Sequence, residues 1–167
     1  AGAIGPELHG LFQAALRPAK DISERTGVGR GNVSVAGAAA DLAHQVFGDL
    51  AQAHVLVVGA GDTAELVMAH FAGRGVTRFS VVNRTPERAA ELAAKHGGDS
   101  AGLDALPERL AETGIWVAAA GDVEPLIKEA DVRAALRRRR GKPVVAIDIA
   151  VPRGIDPRVD ALDNVYR

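Results

Sequence analysis

Cysteine is missing from all 167 residues, so disulfides, cysteine-based metal sites and thiolate catalysis are excluded within this chain, as fits a cytosolic protein. Aromatic residues make up 4% of the sequence, too few for a surface that stacks nucleic-acid bases. No apolar run is long enough to span a bilayer and no signal-peptide pattern is present, so no membrane partner is expected. An excess of one charge is lacking as well: the formal net charge of -1 sets up no global field to recruit polyanions or lipid. His9, His44, His54, His70 and His96 are scattered without a partner at ligand spacing, and no serine sits in a G-x-S-x-G setting. Metal ligands and catalytic residues are therefore expected to be none.

What is present is concentrated between His54 and Arg84. Val55–Val58 is a short apolar, mostly β-branched run closed by glycine, the pattern of a strand buried on both faces of a parallel sheet. Gly59, Ala60, Gly61, Asp62, Thr63 and Ala64 then read G-x-G-x-x-A. Gly59 allows a sharp turn off the strand, Gly61 removes the side chain where backbone must approach a diphosphate, and Ala64 is small enough for a helix to lie close on the strand. The N–H groups of that helix's first turn face an anion. An amphipathic run over 63–71 and a second apolar strand over 78–82 follow at the spacing of a dinucleotide site.

The residues closing the second strand distinguish the two nicotinamide cofactors. NAD sites carry an acid there for the adenosine ribose, whereas this chain has Asn83, Arg84 and Thr85. Asn83 can bond a ribose oxygen without adding negative charge, and the planar guanidinium of Arg84 matches a phosphate. Arg88 lies one helical turn further on and can close on the same group. NADPH is thus the expected cofactor, against the alternative that both arginines are solvated residues of a helix start.

Taken in order, residues 1–50 read as a helical connector and 51–167 as the nucleotide-binding domain. The connector carries a helix over about 6–20, a loop over 27–32, and a helix over 35–47 capped by Ser34 and ended by Gly48. Beyond the motif, helices are expected over 86–96, 103–112 and most of 124–140, with strands over 99–102, 115–119, 144–149 and 163–166. The alternation predicts an α/β fold, a Rossmann-type doubly wound parallel sheet in the order 3-2-1-4-5-6. The run Arg137–Arg140 reads as a solvated helix end or as a contact to RNA phosphates. Asp148, at the carboxyl edge, serves either a ligand or the loop after it. That loop, 148–157, with two prolines and paired charges, suggests a rigid lip over the cofactor crevice.

These residues also carry a family resemblance. V-L-V-V-G-A-G-D-T-A-E-L-V (55–67), V-V-N-R-T-P-E-R-A-A-E-L-A (81–93), D-I-A-V-P-R-G-I-D-P (148–157) and L-D-N-V-Y (162–166) closely resemble the NADPH-binding domain of glutamyl-tRNA reductases. L-F-Q-A-A-L (11–16) and T-G-V-G-R-G-N-V-S-V-A (26–36) resemble the end of that family's catalytic domain and its linker. N-R-T after the second strand is shared with shikimate dehydrogenases, so a shikimate dehydrogenase-like NADP oxidoreductase domain is the alternative, with a non-catalytic NADP-binding module as a third. The resemblance implies reduction of glutamyl-tRNA to glutamate 1-semialdehyde by NADPH, in tetrapyrrole (porphyrin) biosynthesis. It further implies a thioester-forming cysteine in a domain upstream, a homodimer formed through a domain downstream, and a next enzyme receiving the semialdehyde. The chain reads as a piece that holds cofactor and turns nothing over. Two stretches depart from the family. Lys20–Thr26 has acids and a serine where cations are usual, and Ala118, Ala119 and Ala120 replace the hydroxyl residues at the end of strand four, leaving Ala120 and Gly121 to meet the cofactor through main chain.

Overall fold

The computed structural model describes residues 35–167, together with Gly5, Gly10, Leu11, Ala14 and Pro18. The chain divides into two compact units, Ala1–Ser34 and Val35–Arg167. In the first, Gly10, Leu11, Ala14 and Pro18 are helical and exposed, within the stretch where the connector's first helix is expected. The rest of that helix, the loop over 27–32, the Ser34 cap and the Lys20–Thr26 departure lie outside the described residues.

The second unit begins with α1 (Val35–Phe47), which the sequence reading groups with the connector and which packs on the sheet. Then come β1 (His54–Val58), α2 (Asp62–Ala72), β2 (Arg78–Val82), α3 (Pro86–Lys95), β3 (Asp99–Ala101), α4 (Leu106–Glu112), β4 (Ile115–Ala118), α5 (Glu129–Arg138), β5 (Val144–Asp148) and β6 (Val165–Tyr166). The six strands form one sheet in the order β3-β2-β1-β4-β5-β6, as the alternation predicts. All are parallel, with Val58 opposite both Val82 and Ala118, and Ala118 opposite Asp148.

Because side chains alternate along a strand, each strand feeds two cores. Val55, Val57, Val81, Ile115, Val117 and Val145 face α1, α2 and α3, where they meet Ala40, Phe71 and Leu92. Leu56, Val58, Val82, Trp116, Ala118 and Ala146 face α4 and α5, where they meet Leu110, Val132 and Ile155. Burial on both faces is why the strands are continuous apolar runs rather than alternating ones.

The largest difference from expectation lies between β4 and α5. Residues 124–128 are not helical: Ile127 forms a parallel bridge to Ile155, with Ile127 N–H donating to the Gly154 carbonyl (2.9 Å) and Asp156 N–H to the Ile127 carbonyl (3.0 Å). The fully buried Ile127 is thus taken by the second core in extended form, and the helix starts only after Lys128. A similar shift precedes α4, whose first residues Leu103–Ala105 are a 3₁₀ turn because the α-helix opens on Leu106-Pro107, with proline at its favoured start.

A candidate dinucleotide site at the carboxyl edge

β1 and β4 are neighbours whose following helices leave on opposite faces of the sheet, so a crevice opens between the loops at their carboxyl ends. The glycine turn forms one wall. Gly59 has φ +117, and its N–H donates to the Val82 carbonyl (2.8 Å). A Cβ there would lie 2.8 Å from the Ala120 Cβ and 2.9 Å from the Ala120 nitrogen. Glycine is therefore required by backbone conformation and by the close pass of the β4 loop. Gly61 caps α2 in extended conformation with no side-chain cap, and a Cβ on it would meet nothing within 4 Å. The first-turn N–H groups of this 11-residue helix thus open onto free space.

A cavity of about 230 Å³ lies at this switch point, lined by Gly59, Asn83, Arg84, Thr85, Arg88, Ala120 and Gly121 together with Val58, Val82, Leu103 and Leu126. A second, of about 300 Å³, is lined by Ala60, Gly61, Asp62 and Arg88, with Glu65, Glu91, Leu92 and Lys95 completing it. Ten of the twelve expected cofactor residues therefore line one of two cavities that share Arg88. The other two do not: Thr63 is exposed on the first turn of α2, and Ala64 is fully buried against the sheet, where its small side chain lets the helix approach. Asn83 donates from its side-chain amide to the Thr85 carbonyl (3.1 Å), shaping the turn into α3. Thr85 stands at the N-cap of α3, but its side chain makes no cap hydrogen bond.

Arg84 is not free in the crevice. Its guanidinium donates to the carboxylate of Asp122, in the loop after β4. The Val123 N–H, and after it Arg84, hold the Asp122 carboxyl below the usual carboxylate range. Sequence reasoning missed Asp122 because nothing local connects residues 38 apart.

The lip is built by Asp148. Its carboxylate, whose side chain is only 5% exposed, accepts the N–H groups of Ala150 (3.2 Å), Gly154 (3.1 Å) and Ile155 (3.0 Å). Of the two roles open to it, loop capping is the one seen. The loop it holds contains the cis peptide Val151-Pro152, and a Cβ on Gly121 would overlap the Pro152 carbonyl. The loop therefore packs against Gly121, one of the residues lining the first cavity, although none of residues 148–157 lines either of the two cavities itself. Arg139, from the four-arginine run, turns inward: it is half buried and donates to the carbonyls of Thr113, Ala111 (3.5 Å) and Pro143 (3.2 Å). Burial lowers its pKa from the usual value. The run is thus neither wholly a solvated face nor a uniform cationic strip. Among the described residues no cluster of metal-ligating side chains occurs, and no helix is long and apolar enough to cross a membrane.

A glycine turn feeding an uncapped helix start, beside a cavity where the strand order reverses, defines a doubly wound α/β domain of the Rossmann-like class. The family model described as Shikimate / quinate 5-dehydrogenase matches residues 41–167, and the chain belongs to that family. It is also similar, over 166 residues and at 42% identity, to the glutamyl-tRNA reductase of Ectopseudomonas mendocina. That match covers 99% of this chain and 39% of the relative, so the chain spans well under half the relative's length. The solved glutamyl-tRNA reductase from Methanopyrus kandleri is 38% identical with a TM-score of 0.76, covering 99% of this chain and 42% of that one. The nucleotide binding domain of glutamyl-tRNA reductase from Thermoplasma volcanium is 18% identical with a TM-score of 0.60, covering 81% of this chain and 86% of that one, and shares the fold. The resemblance drawn from the motifs is borne out.

Proposed function

We propose that this chain is the NADPH-binding portion of a glutamyl-tRNA reductase, and that the whole protein reduces glutamyl-tRNA to glutamate 1-semialdehyde for tetrapyrrole synthesis. The observation that carries the cofactor assignment is the convergence of Asn83, Arg84, Thr85 and Arg88 on one cavity with Gly59, Ala120 and Gly121. The reductase reading is favoured over a shikimate dehydrogenase because similarity to the reductases runs through 99% of the chain, including residues before 41, where the match to the family model begins.

The residues fit the cofactor. Gly61 and the first turn of α2 would receive the diphosphate, Asn83 a ribose oxygen, and Arg84 and Arg88 the 2′-phosphate, with Ala120 and Gly121 offering main chain only. Bound NADPH supplies the hydride. The thiolate that would hold the glutamyl group must come from outside this cysteine-free chain, so the chain alone binds cofactor and produces no semialdehyde. Homodimerisation and hand-over of the semialdehyde to a next enzyme belong to the same reading of the whole protein.

Arg84→Ala tests it. A charge-assisted contact is worth about 1.5–3 kcal/mol, which predicts a loss of about tenfold or more in NADPH affinity with NADH nearly unchanged. Calorimetric titration of both cofactors reads this directly, and equal losses would remove the 2′-phosphate assignment.

A further inference from the structure

The residue proposed to read the 2′-phosphate already holds an anion. Arg84 leaves the end of β2, Asp122 leaves the end of β4, and their side chains meet across the mouth of the cavity that both loops border. One carboxylate oxygen of Asp122 takes the Arg84 guanidinium and the other takes the Val123 N–H at 2.8 Å. The acid is thus fixed by its own loop and aimed at the arginine. Arg88, which borders the same cavity, has no carboxylate partner among the described residues. The Arg84 and Asp122 side chains are 68% and 43% exposed, so the pair can open at little cost.

The geometry points to Asp122 as a resident counter-anion that a 2′-phosphate must displace from Arg84, which makes it a residue that sets cofactor specificity. This rests on the assignment of Arg84 given above and deepens it. A carboxylate and a phosphate monoester compete for the same planar fork of N–H donors. NADPH therefore binds only as the latch opens, and its net gain from Arg84 is reduced by the contact it replaces. NADH has a hydroxyl in that position and leaves the pair closed. Arg84 is in this way kept from rewarding any nucleotide that lacks a strong anion on the ribose.

The test is a double-mutant cycle on the full chain, Asp122→Asn and Arg84→Ala alone and combined. Adenosine 2′,5′-bisphosphate and AMP serve as minimal probes that differ only in the 2′-phosphate, alongside NADPH and NADH. An asparagine can still accept the Val123 N–H, so the loop keeps its anchor, and circular dichroism checks the fold. An exposed ion pair of this kind corresponds to a change of about two- to fivefold. D122N should tighten adenosine 2′,5′-bisphosphate and NADPH by that factor in low salt and leave AMP and NADH unchanged. The gain should vanish in the R84A background and shrink as salt screens the pair. If the gain persists without Arg84, or extends equally to AMP, the carboxylate acts as diffuse charge and the latch is refuted while NADPH binding stands. Unchanged or weaker NADPH binding by D122N likewise refutes the latch alone. Absence of nucleotide binding by every form, wild type included, overturns the latch and the cofactor assignment together.

Discussion

Replacing Asp148 by asparagine keeps the shape of the side chain and removes one charge and one acceptor. Three backbone N–H groups converge on the carboxylate, two on Oδ1 and one on Oδ2, and the Arg167 guanidinium lies 3.7 Å from Oδ2. An amide can serve one oxygen's share: with its oxygen toward Ala150 and Gly154, its NH₂ faces the Ile155 N–H; turned over, it loses two bonds instead of one. The side chain is 5% exposed, so water does not readily replace the lost acceptor. Hydrogen bonds to an ionised group contribute about 1.5–3 kcal/mol each, and an unsatisfied buried donor costs about 1–3 kcal/mol. The retained bonds also weaken to neutral ones, so Asp148→Asn should destabilise the domain by about 3 kcal/mol, lowering its Tm by roughly 10 °C. The effect reaches the site because the lip held by Asp148 sets the Pro152 carbonyl against Gly121, which lines the cavity. Nucleotide affinity should therefore fall by about three- to tenfold, for NADH as much as for NADPH, since the residues proposed to meet a 2′-phosphate are untouched. Urea unfolding measures the first effect and calorimetric titration the second. A variant with an unfolding free energy within about 0.5 kcal/mol of wild type and the same affinity would refute the role given to this carboxylate.

Two further outcomes are expected. Gly59→Ala combines a backbone φ of +117 with a Cβ 2.8 Å from Ala120, so it should cost about 1–3 kcal/mol in urea unfolding and push the β4 loop into the crevice; wild-type stability and nucleotide binding together would contradict this. Asp156 is held down to a pKa of about 2 by the Arg158 side chain and, next, the Arg158 N–H. A depressed folded value means that its contribution is complete above the ordinary carboxylate pKa near 3.8 and is lost as pH falls through about 2. The stability gap between wild type and Asp156→Asn should accordingly narrow between pH 5 and pH 2, and a gap that stays constant would show that protonation of this group is not linked to folding.

Much of this was legible in residue order because its causes are local. Val55–Val58 closed by Gly59 reads as an interior parallel strand running into a tight turn, which it is, and Thr85-Pro86-Glu87 marks the start of α3 to the residue. Where the local pattern was ambiguous, long-range packing decided. Residues 124–128 have helical composition on either side of Pro125, yet Ile127 is drawn into an extended bridge with Ile155 because the core beneath it holds an apolar side chain at that point. Helical propensity is a matter of tenths of a kcal/mol per residue, whereas burying an isoleucine stabilises by about 1.5–3 kcal/mol.

The same division holds at the site. Turn chemistry, apolar periodicity and the residue types closing each strand are properties of neighbouring residues, and they were enough to determine the strand order, the glycine wall and the cations beside it. The partner of Arg84 and the inward turn of Arg139 were decided only when distant segments met, because each depends on a carboxylate or carbonyl that the folded chain carries in from elsewhere, whereas the capping role of Asp148 is local to the loop after it and was one of the two roles its position offered. Spacing along the chain says which groups can bind; the closure of the sheet and its loops says what they bind to.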